Sequence, residues 1–101
     1  MKILRLGSRN IKVYFNEKAV DKYEEREKKQ GYCHGYCDRG TDEIYIRSSL
    51  PLILKRLTLW HELTHLHFDW LTSLSNESIA EINARYIDEI LERNRWVKEM
   101  Y

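Results

Sequence analysis

The chain has 101 residues, of which 43% are apolar and 33% charged, with a formal net charge of +1. Such a length allows one domain, residues 1–101, with a single modest core, and the composition excludes a disordered or membrane-embedded chain. The near-neutral balance excludes a general attraction to nucleic acid or to an anionic lipid surface.

The first six residues, Met1–Leu6, lack an extended apolar region followed by a cleavage site, so no signal peptide and a cytoplasmic setting are expected. The longest apolar run, residues 50–54, is far too short to span a bilayer. Residues 2–6 and 11–15 read as two short strands around a turn at Gly7-Ser8-Arg9-Asn10. Asn16 is a good N-cap for a helix from Glu17 to about Gln30, with Gly31 as its stop. Ala19, Val20 and Tyr23 give that helix a narrow apolar stripe, and the charged run 24–29 reads as a solvated surface.

Residues 32–38 and 43–47 read as a β-hairpin around Arg39-Gly40-Thr41-Asp42, with the second strand better defined. On an extended strand Cys33, Gly35 and Cys37 share one face, and Tyr32, His34 and Tyr36 the other. Cysteines four apart on a regular strand are about 13 Å apart, so a disulfide needs a bend at Gly35. Buried small thiols, a strained or loop disulfide and a second metal site are three open readings of the pair.

Ser48 or Ser49 is the expected cap of the next helix, with Pro51 in its first turn and an end near Trp70. Leu52, Ile53, Leu54, Leu57, Leu59, Trp60, Leu63, Leu66 and Phe68 nearly encircle this helix, which predicts the buried centre of the fold. Within it lies His61-Glu62-Leu63-Thr64-His65, the pattern H-E-x-x-H. Two histidines four apart on a helix are about 40° apart around the axis, so their rings leave one face side by side. That arrangement suits two corners of a tetrahedral zinc site, with positions left for a third ligand and a water. Glu62, beside the first histidine, is placed to act as a general base. His67 points away from His65 and reads as structural.

Residues 71–76 read as a short connection, followed by a last helix from about Glu77 to Glu99. Ile79, Ile82, Tyr86 and Ile90 form its core stripe, and Glu77, Ala80, Glu81, Ala84 and Asp88 an adjacent stripe of acids and small residues. Acids on a partly buried face need a partner, and a zinc ion held by the preceding helix would be one. Glu77 also has the plainer reading of an acid favourable in the first turn of a helix. Asp69, four residues after His65, is a rival third ligand. Three consecutive i, i+4 positions are nearly collinear, however, which favours Glu77.

The pattern resembles that of the gluzincin metallopeptidases, in which H-E-x-x-H is followed by a glutamate ligand on a downstream helix. Asn76-Glu77-Ser78-Ile79-Ala80-Glu81 is similar to the N-E-x-x-x-D segment of the thermolysin group. Glu77, Ala80, Glu81 and Ala84 are similar to the E-x-x-A-[DN]-x-x-A pattern of ImmA/IrrE-type peptidases, and in size the chain resembles the minigluzincins. The resemblance implies one zinc ion held by His61, His65 and Glu77, with Glu81 orienting a ligand histidine. It implies an α+β, minimal zincin-like domain, in which a small antiparallel or mixed sheet packs on the zinc helix and the downstream glutamate helix. The implied activity is a zinc metallo-endopeptidase acting on a peptide or protein substrate, with Glu62 as general base on zinc-bound water.

In that arrangement the strand Glu43–Arg47 is expected to border the cleft and pair with an extended substrate. His34 and several tyrosines are candidates for stabilising the oxyanion. Residues 92–101 have two readings: a segment covering the cleft, within one chain or across a homodimer, or a helix end packed on its own domain. The alternative function is a zinc-binding regulatory protein of a mobile element or stress response, with one protein target or no turnover.

Overall fold

A computed structural model describes residues 1–28, 31–68 and 76–101. Among the described residues, four strands and four helices follow in the order β1 (Lys2–Leu6), β2 (Arg9–Phe15), α1 (Glu17–Glu27), β3 (Gly35–Asp38), β4 (Glu43–Ile46), α2 (Leu52–Leu63), α3 (Asn76–Arg93) and α4 (Arg95–Lys98). A π-helical turn, Thr64–Phe68, continues α2. The strands form one mixed sheet in the order β1-β2-β4-β3. Both β1–β2 and β3–β4 are antiparallel, and β2–β4 is parallel, pairing Val13 with Ile44 and Phe15 with Ile46. The fold is therefore α+β with a mixed sheet. None of the described helices is long and apolar enough to cross a membrane.

Alternation along the strands assigns the two faces. Leu4, Leu6, Ile11, Val13, Ile44 and Ile46 are fully buried on one face, against Leu59 and Leu63 of α2, Ile90 of α3 and Val97 of α4. The opposite face carries Tyr14, Tyr45 and Tyr36 in register across three strands, with Tyr23 of α1 completing a stacked row at 4.9, 4.7 and 4.2 Å between centroids. Burial at period two with aromatics on the second face is what a sheet covered on both sides requires.

Several element boundaries differ from the sequence expectation, each for a local reason. Asn16 caps α1 through its side chain, accepting from the Ala19 amide at 3.1 Å. The helix ends at Glu27, because Lys28 takes the left-handed conformation (φ 51°) that closes a helix and places its N–H on the Glu24 and Glu25 carbonyls. Neither Ser48 nor Ser49 caps α2; Pro51 occupies the cap position, without a side-chain bond. Nor is α2 a buried centre. Its Leu52, Ile53 and Leu57 are 51, 58 and 58% exposed, since the sheet covers only one side of the helix. The hairpin's second strand, β4, is an interior strand between β2 and β3. The edge strand on that side is β3, with no further strand beside it among the described residues, and β4 therefore has no free edge to offer.

The C-terminal region is two helices where one was expected. Asn94 leaves the helical conformation (φ −127°, ψ 82°) and spends its side-chain amide on β1. Its Oδ1 accepts from the Arg5 amide at 2.6 Å and its Nδ2 donates to the Arg5 carbonyl at 2.9 Å. Trp96 Nε1 donates to the Ile3 carbonyl, Glu89 accepts from the Gly7 amide and Arg93 donates to the Gly7 carbonyl. Residues 3, 5 and 7 point their backbone groups away from β2, so α3 and α4 close the outer edge of β1 as another strand would. Asn94→Ala should cost about 2 kcal/mol, because it removes the buried side-chain amide that pairs with both the N–H and the carbonyl of Arg5. A urea titration checks this: the midpoint falls and the slope stays unchanged.

Arg47, just after β4, is 2% exposed. Its guanidinium donates to Glu17 at 2.8 Å, to Asp21 at 2.6 Å, to Glu24, and to the Cys33 carbonyl at 2.6 Å. The bond from the Ser49 amide and those from Arg47 hold the Glu17 carboxyl below its ordinary range. A depressed carboxyl contributes stability that is present above its unfolded pKa and disappears as pH falls through the depressed folded value. Arg47→Met should therefore destabilise the protein at neutral pH and flatten the acid limb of its stability curve below the ordinary carboxylate range. Thermal melts of both proteins across that range are the check.

Candidate metal centre and catalytic groove

The paired histidines sit where α2 gives way to the π-helical turn. Thr64, at that junction, donates its hydroxyl to the Trp60 carbonyl at 2.8 Å, a back-bond that perturbs regular helical pairing. His61 lies in the α-helical part and His65 in the wider turn. Their rings lie edge to face with centroids 4.7 Å apart, and His61 Nε2 is 3.2 Å from His65 Nε2. Both rings are exposed on the groove side of the helix. Two nitrogens on one tetrahedral zinc, each bonded at about 2.0–2.1 Å, lie roughly 3.3 Å apart, so the pair has the spacing and the donor chemistry of two zinc ligands.

The π turn is held from behind by His67. Its Nδ1 is 2.6 Å from Nη1 of Arg9, which also grips both Asp42 carboxylate oxygens, at 2.5 and 3.3 Å. Its ring stands edge-on to Tyr86 of α3 at 5.3 Å. An acceptor at Nδ1 facing a guanidinium requires a neutral imidazole, and burial followed by the Arg9 charge pushes the His67 pKa down. His67 is thus structural, as its position on the helix predicts.

Glu62, between the two histidines in sequence, is 6% exposed. Burial raises its pKa, opposed by attraction to His61 and His65 and by a hydrogen bond with the Cys37 side chain. Cys37 and Cys33 are free thiols. Burial and the neighbouring Glu62 carboxylate push the Cys37 thiol up to about 11.

The groove runs along the edge strand. One hollow of about 470 Å³ brings together Tyr32, His34, Leu57, Thr58, His61 and Glu62. A second, about 460 Å³, continues from it past Cys33 and Gly35 to Tyr36, Cys37, Arg39 and His65. Gly35 makes the contact between β3 and α2 possible. A Cβ there would stand 2.4 Å from the Tyr45 carbonyl oxygen and 2.9 Å from the Thr58 methyl. Another hollow, about 480 Å³, lies between Trp60, Ile87, Leu91, Lys98 and Tyr101, and among the described residues its lining includes neither a carboxylate nor an imidazole.

His61, Glu62 and His65 therefore share one site. Glu77, in the first turn of α3, and Glu81 are exposed, and Glu81 pairs with Arg85 at 3.0 Å. Among the described residues, no three His, Cys, Asp or Glu side chains converge on a point that a metal could occupy. Asp69 lies outside the described residues. His34 lines the first of the two hollows, together with His61 and Glu62. The C-terminal residues line neither of the two groove hollows. Trp60 Nε1 donates to the Tyr101 hydroxyl, and the Arg56 guanidinium lies 4.7 Å from the Tyr101 ring centre. Sequence reading placed Cys37 on the same strand face as Cys33 but gave no sign that it shares a hollow with Glu62. That placement depends on strand order, which spacing does not encode. No protein-family model, curated protein or solved structure matches the chain.

The burial of Glu62 has a consequence in the metal-free protein. A carboxyl whose folded pKa is raised loses stability, relative to a neutral isostere, as pH rises through its unfolded value, and the loss levels off above the raised folded value. Metal-free Glu62→Gln should therefore exceed the wild type in stability by about 1 kcal/mol at neutral pH, because it removes a buried charge while keeping shape and hydrogen bonding. The advantage should shrink as pH falls through the raised value toward the ordinary carboxylate range. Urea midpoints in chelator, taken from neutral to acid, measure it.

Proposed function

We propose that this chain is a zinc-dependent metallo-endopeptidase of minimal, gluzincin-like design that acts on a peptide or protein in the cytoplasm. The observation that carries this reading is the pair of imidazole Nε2 atoms 3.2 Å apart at the floor of a groove, with Glu62 buried beside them. In this proposal His61 and His65 hold the ion, and Glu77 is the third ligand by the resemblance of its segment to gluzincin helices. Zinc, when bound, supplies a Lewis acid that polarises a scissile carbonyl and acidifies a water.

The chain's own residues supply the rest. Glu62, raised in pKa by burial, takes a proton from the attacking water and returns it to the leaving amine. Its desolvation strengthens its attraction to the two imidazoles and to any positive charge between them. The open edge of β3 borders the groove, so an extended substrate pairs with Gly35–Asp38 rather than with β4. His34, on the same strap of chain, is the groove-lining candidate for a donor to the developing oxyanion.

Metal analysis and peptide digestion test the assignment together. His61→Ala and His65→Ala should each abolish stoichiometric zinc, and Glu77→Ala should weaken binding more than Asp69→Ala. Glu62→Gln should keep fold and zinc while hydrolysis falls by about 10²-fold or more, the usual contribution of a general base. Full zinc retention in both histidine variants overturns the centre. Zinc binding with no cleavage of any peptide by the wild type leaves the ion and removes the peptidase, which is then a zinc-dependent binding protein.

A further inference from the structure

We propose that Arg9 is a positioning residue for the metal centre: its grip on the His67 ring fixes the rotation of the π turn, and with it the direction in which His65 faces His61. The proposal rests on the zinc reading above and extends it to residues outside the groove. Three contacts define the turn Thr64–Phe68. Thr64 bonds the Trp60 carbonyl where the turn begins, Leu66 is buried in the core, and His67 Nδ1 meets Nη1 of Arg9 at 2.6 Å. His65, between Thr64 and Leu66, is exposed and lines the groove.

Arg9 is itself held in place. It opens β2, and its Nη2 and Nε donate to the two oxygens of Asp42 at 2.5 and 3.3 Å. Asp42 takes a left-handed backbone conformation (φ 55°) in the turn between β3 and β4, and its carbonyl accepts from the Lys12 amide at 2.9 Å. A guanidinium is planar, so a carboxylate that engages Nε and Nη2 leaves Nη1 aimed in a set direction. That nitrogen is the one on His67. The His67 ring also stands edge-on to Tyr86 of α3 at 5.3 Å, so the ring is held by two elements besides its own. A π turn inside an α-helix is a rare geometry, and the contacts that grip this one set its rotation. His65 and His67, two positions apart, leave opposite sides of the helix. Fixing one ring therefore aims the other, and the 3.2 Å spacing of the two Nε2 atoms is the quantity that Arg9 protects.

Zinc affinity of the full chain, measured by competition with a chromogenic chelator, tests the proposal. Arg9→Met should weaken zinc about tenfold, the low end of what outer partners of metal ligands contribute, and Asp42→Asn by less. Asn94→Ala is the control: it should lower the urea midpoint without moving zinc affinity. His67→Phe keeps a ring against Tyr86 and removes the acceptor, so adding Arg9→Met to it should have no further effect. Unchanged zinc affinity in folded Arg9→Met, or full additivity with His67→Phe, overturns the positioning role. In metal-free protein, the nuclear Overhauser contact between the His61 and His65 ring protons should weaken in Arg9→Met and, to a smaller degree, in Asp42→Asn. Should Arg9→Met fail to fold, the milder variant decides, and an unaltered contact overturns the proposal. A wild type that binds no zinc overturns the metal reading, while the Overhauser contact still decides whether Arg9 aims His65.

Discussion

The groove depends on one buried guanidinium. Arg47 sits at the end of β4 and draws Glu17, Asp21 and Glu24 from a single face of α1. Those residues are three and four apart, so only a helix lines them up, and only a forked cation can serve all three at once. The same side chain bonds the Cys33 carbonyl and lies 4.4 Å from the Tyr32 ring centre, and its backbone amide bonds the His34 carbonyl. Arg47 thereby fixes α1 against the sheet and the strap of residues 32–34 against β4. That strap is one wall of the groove. A buried ion pair of this kind is poor evidence for high stability, because desolvation offsets much of the attraction. What it supplies is position: removing the cation would take from the Cys33 carbonyl the partner that holds the strap at the place where it faces His61.

Much of the candidate site was legible in the sequence because its signal is local. H-E-x-x-H requires only that residues 61–65 be helical, and the surrounding period-3.6 pattern supports that. The faces of β2 and β4 were equally legible, since alternation at period two assigns Ile11, Val13, Ile44 and Ile46 to one side. What was not legible depends on partners distant in sequence. The parallel pairing of β2 with β4 comes from the crossover through α1, so it could not be read from a hairpin pattern, which puts β4 outside and β3 within. The break at Asn94 has no helix-stop signal beyond a modest propensity. It exists because Arg5, far away in sequence, offers an amide and a carbonyl that only a side-chain amide satisfies together. Arg47 reads as an ordinary surface charge until α1 folds over it.

The C-terminal segment packs part of its apolar surface on the N-terminal strands of its own chain. Trp96, Val97, Met100 and Tyr101 are more apolar than a frayed terminus needs. Val97 is fully buried, Trp96 bonds the Ile3 carbonyl, and Phe15 packs edge-on to the Trp96 ring at 6.5 Å. These contacts put the segment's apolar surface on the N-terminal strands, at the edge of the sheet opposite β3. An uncovered β1 would present a row of unpaired backbone groups, a ready template for another chain. The two edges of the sheet are therefore treated differently: β1 is closed by α3 and α4, and β3 is left to the groove.

That asymmetry bears on how a domain this small can hold the proposed site. The proposed general base needs a dry surrounding, but 101 residues provide only one modest core. The chain meets both demands by making the core and the site share a helix. Leu59 and Leu63 anchor α2 in the sheet's apolar face, while His61 and His65, two positions away in each case, leave the opposite side. Glu62 lies between these sides and inherits burial from the first and the imidazole pair from the second. The π turn then sets His65 at the end of the rigid segment, with the neutral His67 tied to Arg9 and Tyr86 on its far side. The two imidazoles are held by elements whose packing does not depend on a ligand. Any ion they receive meets nitrogens already placed, so less ordering has to accompany binding.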